Sequence, residues 1–134
     1  MKRFAALALL LSALSPAVAQ APTRIQLAQL QTMFTNMRAQ TSWNVDGPLR
    51  WGYFFFDPRA VKLKQAASEL QAQGYETVEL QAVPGKDLFR LHVEKIEVHS
   101  PVSLHHRNAE FYALADKHGI ALYDGMDVGP VEKK

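Results

Sequence analysis

Between Trp51 and Phe56 the chain carries five aromatic rings in six residues, Trp51-Gly52-Tyr53-Phe54-Phe55-Phe56. Nothing polar alternates with them. A strand of this kind offers large apolar surface on both sides, so it is expected at the centre of a sheet, covered on both faces. The rest of the chain must supply its neighbours. Asp57-Pro58 follows and reads as the N-cap and first position of a helix. Leu63, Ala66, Ala67 and Leu70 recur at helical spacing, and Gly74 closes that helix. Residues 75–82 alternate, with Val78 and Leu80 set against Thr77, Glu79 and Gln81. Pro84-Gly85-Lys86 is a turn signal. Residues 88–98 then form a longer strand, with Phe89, Leu91 and Val93 on one side and Arg90, His92 and Glu94 on the other. Ser100-Pro101 opens a helix that runs to about His118, with Leu104, Phe111, Leu114 and Ala115 on its apolar side and Gly119 at its end. Residues 120–123 make a short last strand, and Asp124-Gly125-Met126-Asp127 reads as a turn.

The order is strand, helix, strand, strand, helix, strand. That order predicts an α+β fold, the ferredoxin-like split β-α-β-β-α-β sandwich. Right-handed crossovers place the first and third strands in the middle of an antiparallel sheet, with both helices on one face. Upstream, Ile25, Leu30, Met33, Phe34 and Met37 mark an extra N-terminal helix over residues 24–40. A linker with Trp43 and the turn Asp46-Gly47-Pro48 joins it to the sheet. The apolar stripe of that helix needs a partner, and the second sheet face is the expected one.

The first residues carry a different message. Lys2 and Arg3 precede an uncharged apolar run from Phe4 to Leu14, then Ser15-Pro16 and Ala17-Val18-Ala19. That is the pattern of a cleavable export signal, too short to span a membrane. Cleavage is expected after Ala19, with Ala21 as second choice. The expected organisation is therefore a signal peptide at 1–19, helix and linker at 20–48, and a sandwich domain at 49–134. A periplasmic or secreted protein with no membrane insertion after cleavage follows. The formal net charge of +2 falls to zero once Lys2 and Arg3 leave, because 13 basic residues then face 13 acidic ones. Nucleic-acid partners call for a basic patch, and no basic run exists. The absence of cysteine removes disulfides, thiolate nucleophiles and thiolate metal sites together.

Several stretches resemble the regulator of ribonuclease E activity B family. They are Trp51-Gly52-Tyr53-Phe54-Phe55-Phe56, Gly74-Tyr75 after a helix, Leu91-His92-Val93-Glu94-Lys95, and Tyr123-Asp124-Gly125-Met126-Asp127-Val128-Gly129-Pro130. The resemblance spans roughly residues 49–131. It implies a ferredoxin-like protein that binds and inhibits or redirects the ribonuclease, with no cofactor and no catalytic residues to carry over. Ribonuclease E works in the cytoplasm, whereas the leader directs this chain outward. Fold and binding mode are expected to transfer; the named target is not.

The residues themselves offer little chemistry. His92, His99, His105, His106 and His118 lack metal-ligand spacing, although His92 and Glu94 share a strand face that Asp124 or Asp127 could approach. A small metal protein or hydrolase centred on His92 and Glu94 is the enzymatic alternative. It lacks a nucleophile elbow, a carboxylate pair or a phosphate loop. A cytoplasmic ribonuclease E inhibitor is the alternative if the leader is unused. Base stacking on Trp51, Tyr53 and Phe55 beside Arg90 is the nucleic-acid alternative. The preferred reading is a non-enzymatic protein-binding module, an inhibitor or immunity-type partner of an envelope protein. Its expected docking surface is the open sheet face and rim: Trp51, Tyr53, Arg90, His92, Glu94, Tyr123, Asp124, Met126 and Asp127.

Overall fold

Strand β1, Leu49–Asp57, alternates in burial apart from a buried Gly52, although its sequence does not alternate in polarity. Leu49, Trp51, Tyr53, Phe55 and Asp57 point one way and are buried; Arg50, Phe54 and Phe56 point the other way and are half-buried. The computed structural model describes residues 23–132. The expected signal peptide and both cleavage points lie outside the described residues. Helix α1 spans Leu27–Gln40, α2 Ala60–Ala72, β2 Glu76–Ala82, β3 Phe89–Glu97, α3 Pro101–His118 and β4 Leu122–Gly129. The four strands form one antiparallel sheet in the order β2-β3-β1-β4. With β1 and β3 at its centre, this is the expected ferredoxin-like split arrangement.

One core lies between the sheet and the helices. Phe111 of α3 sits at its middle, its ring 4.7 Å from Tyr53, 5.5 Å from Phe55, 5.6 Å from Tyr75 and 5.4 Å from Tyr123, mostly edge to face. Leu63, Ala66 and Leu70 of α2 fill one side, as their spacing predicts. The third helix of the layer is α1. Leu30, Phe34 and Met37 are buried on the same side, Phe34 stacks on Trp51 at 5.9 Å, and the backbone N–H of Ile25 donates to the Tyr112 hydroxyl. The expectation that α1 covers the second sheet face is thus corrected. Its stripe finds Trp51, which α2 and α3 leave uncapped, and all three helices share one face.

Two boundaries also differ from expectation. Helix α2 begins after Arg59, so Asp57 is not its N-cap. The Asp57 carboxylate accepts from the Arg59 N–H at 2.7 Å and from the Ala121 N–H at 2.8 Å, tying the end of β1 to the start of β4. Residues 124–127 are not a turn. They belong to an eight-residue strand, with Asp124 as the extra residue of a bulge opposite Phe54 and Phe55. Gly125 supplies the positive φ of 99° that the bulge requires.

Candidate functional site on the open sheet face

No element among the described residues covers the second face. Pairing parity fixes what it displays. Arg50 pairs with Ile96, Gly52 with Glu94, Phe54 with His92 and Phe56 with Arg90 across β1 and β3. On the flanks, Glu76, Glu79 and Gln81 pair with Glu94, His92 and Arg90, and Asp127 pairs with Gly52. The surface is a mixture of aromatic and charged side chains, with Ile96 47% exposed at one end.

Gly52 organises its centre. A Cβ there would sit on Asp127 Oδ1 and 2.7 Å from His92 Nε2, so those two side chains close over a bare backbone. His92 lies flat on Phe54, ring centroids 4.3 Å apart and planes 20° from parallel. Its Nε2 is buried without a hydrogen-bond partner, 3.5 Å from Glu94 Oε2. The other carboxylate oxygen of Glu94 receives Arg50 at 3.2 Å. Arg90 pairs with Glu79. Both arginines are therefore held in the plane of the sheet by partners one strand away.

Of the expected site residues, Arg90, His92, Glu94 and Asp127 come together on this face. Asp124 is exposed on the bulge beside it. Trp51, Tyr53 and Tyr123 do not belong there. Trp51 and Tyr53 are fully buried and Tyr123 is 4% exposed, all on the helix side, so they cannot anchor a partner or stack a base. Met126 is also turned inward, half-buried against Asn108. The face instead uses Arg50, Phe54 and Phe56, none of which is among the residues expected from sequence. The missing signal was Arg50: a polar residue opening an otherwise apolar strand sets its parity, and every second residue from it faces out.

A second polar group, also unanticipated, is interior. His99 Nδ1 lies 2.8 Å from Ser103 Oγ, and its Nε2 lies 3.3 Å from the Tyr53 hydroxyl and 3.4 Å from Glu97 Oε2. Arg107 bonds both Glu97 and the Tyr75 hydroxyl. Burial holds the His99 imidazole below its ordinary value, with Glu97 opposing. Burial also raises both tyrosines well above theirs. Glu97 lies below its ordinary value: burial pushes it up, and the Arg107 guanidinium outweighs that. Both hydroxyls beside His99 can donate or accept, so a neutral ring is satisfied in either tautomer. Ser103 is committed to the α3 cap, where its hydroxyl and that of Ser100 exchange backbone bonds. The group holds the start of α3 against β1 and β3.

Among the described residues, no three His, Asp or Glu side chains are placed to hold a metal ion. No curated protein matches the chain. A family model described as regulator of ribonuclease activity B matches residues 27–128, from the first turn of α1 to the penultimate residue of β4. That match takes in the whole helix layer and the whole sheet, and the chain belongs to the regulator of ribonuclease activity B family.

Proposed function

We propose that this protein is a non-catalytic, protein-binding regulator, exported from the cytoplasm, that docks a partner in the cell envelope on the open face of its sheet. It would act as an inhibitor or immunity-type partner there. The observation that carries the reading is the one-sided layering: three helices share one face, and the other leaves Ile96 exposed beside half-buried Phe54, Phe56, Arg90 and His92. Aromatic and arginine side chains on an otherwise polar surface are what protein interfaces use as anchors. Family membership supports regulation through a protein partner. Export rests on the sequence of residues 1–19 alone, whose charged start, apolar run and Ala17-Val18-Ala19 end fit a cleaved leader.

The test is compartment first, then contact. The full chain with a carboxyl-terminal tag is expressed, the cells are fractionated, and the purified protein is weighed by mass spectrometry. A periplasmic product beginning at Gln20 supports the envelope reading. An intact cytoplasmic product overturns export and makes ribonuclease regulation the function to test. A photo-crosslinking residue at Ile96 should then trap a protein partner that the same residue at Val61, on the helix side, does not. Trapping only from Val61 would move the docking surface off the sheet.

A further inference from the structure

Toward the carboxyl end of β4 the open face deepens into a hollow of about 740 Å³ between β2 and β4. Its polar lining is lopsided. Glu76, Glu94, Asp127 and Glu132 face it against a single cation among the described residues, Arg50. Arg50 is already engaged by Glu94, which leaves Glu76, Asp127 and Glu132 without an ion pair among the described residues. The hollow borders the centre of the open face, where its own Asp127 and Glu94 adjoin His92. Asp127 Oδ1 and the unpartnered His92 Nε2 lie over the bare Gly52 backbone, and Glu94 Oε2 is 3.5 Å from that nitrogen. These groups do not close to metal-ligand spacing. An ammonium or guanidinium group is larger and donates hydrogen bonds to acceptors further apart. Val78 and Val128 line the same hollow, and the aliphatic stem of a long cationic side chain packs on such surfaces.

We infer that this hollow docks a lysine- or arginine-bearing segment of a protein partner, with Glu76, Asp127 and Glu132 facing its cations. The inference rests on the open-face reading above and adds the chemistry of the partner. Charge complementarity selects the occupant: a nucleic acid or an acidic segment would meet unpaired carboxylates, and like charges facing across an interface are unfavourable.

The test uses the purified protein, isotopically labelled, and three synthetic Gly/Ser peptides of equal length bearing arginines, glutamates or leucines. The arginine peptide should shift the amide signals of Gly52, His92, Glu94 and Asp127, and the glutamate peptide should not. The Glu76→Gln, Asp127→Asn double variant should weaken that binding about tenfold, since each exposed ion pair contributes up to about fivefold. Gly52→Ala, which displaces Asp127 and His92, should weaken it as well. Glu69→Gln with Asp116→Asn, on the helix side, should leave it unchanged. Failure of the arginine peptide alongside shifts at Phe54 and Phe56 with the leucine peptide would overturn this inference and leave the open-face reading standing. Arginine-peptide shifts confined to the helix layer would overturn both. Binding that appears only once Lys133 and Lys134 are replaced by Ser would assign the hollow to the chain's own tail and overturn the partner proposal.

Discussion

A single buried group, His99, is expected to make the stability of this fold depend on pH. The ring is 6% exposed, edge-on to Trp51 at 5.4 Å, and faces Tyr53, Glu97, Ser103 and Arg107. Burial lowers its proton affinity in the fold, so the unfolded chain binds the proton more tightly. Stability then rises with pH across the window between the two values. The contribution of His99 is complete above its ordinary 6.5 and disappears as pH falls through the lower folded value. Glu97, held down by Arg107, adds a loss of the same sign below its ordinary 4.5. Urea midpoints should therefore fall from about pH 7.5 to about pH 5.5, and His99→Gln should flatten that slope. An unchanged slope would mean that His99 has the same proton affinity in the folded and the unfolded chain. A second residue-scale prediction concerns Tyr123, whose hydroxyl donates to Asn108 Oδ1 at 2.6 Å in the core. Tyr123→Phe strands a buried acceptor and should cost about 1–3 kcal/mol in urea unfolding. A smaller loss would place water at Asn108.

Helix α3 is the element whose limits the sequence states most clearly. Ser100 accepts from the Ser103 N–H at 3.1 Å and Gly119 ends the helix at φ 66°. Both are local devices, legible one residue at a time. Ser100→Ala should cost about 1 kcal/mol, and Gly119→Ala about 1–2 kcal/mol through left-handed strain, each read as a lowered denaturation midpoint. Asp57 and Asp124 depart from their local signals for the opposite reason. Asp-Pro is a helix-start signal, but the Asp57 carboxylate is shared with Ala121, 64 residues away. Asp124-Gly125 is a turn signal, but pairing with Phe54 and Phe55 turns it into a bulge inside β4. Local propensity gives way where a distant strand offers the better set of backbone bonds. The strand order and the two crossover helices were legible because hydrophobic periodicity encodes them directly. Which face of β1 meets the helices is written in Arg50 alone, because aromatic rings occupy both sides of the strand.

At the scale of the molecule, three helices on one side of a four-stranded sheet divide the protein into a load-carrying face and a presented face. The helix side holds the stability. Phe34 is fully buried and stacked on Trp51, so α1 closes the core at the end that α2 and α3 leave open. Phe34→Ala should cost about 3–5 kcal/mol and expose Trp51, seen as a red-shifted fluorescence and an earlier urea midpoint. If α1 were only an appendage, the midpoint would barely move. The sheet side should behave in the opposite way. Ile96 is 47% exposed and pairs with Arg50 at the rim, so Ile96→Ser removes apolar surface from water rather than from the core. Its midpoint should shift by less than about 0.5 kcal/mol equivalent, while capture of the partner by the tagged protein falls. The pair of variants separates the two roles in one assay set. Loss of capture with Phe34→Ala tracks unfolding and is reversed by lowering the temperature, whereas loss with Ile96→Ser persists in a fully folded protein. Were Ile96→Ser to leave capture intact while charge changes at Glu76 and Asp127 abolished it, docking would rest on the acidic hollow alone and the apolar rim would be incidental.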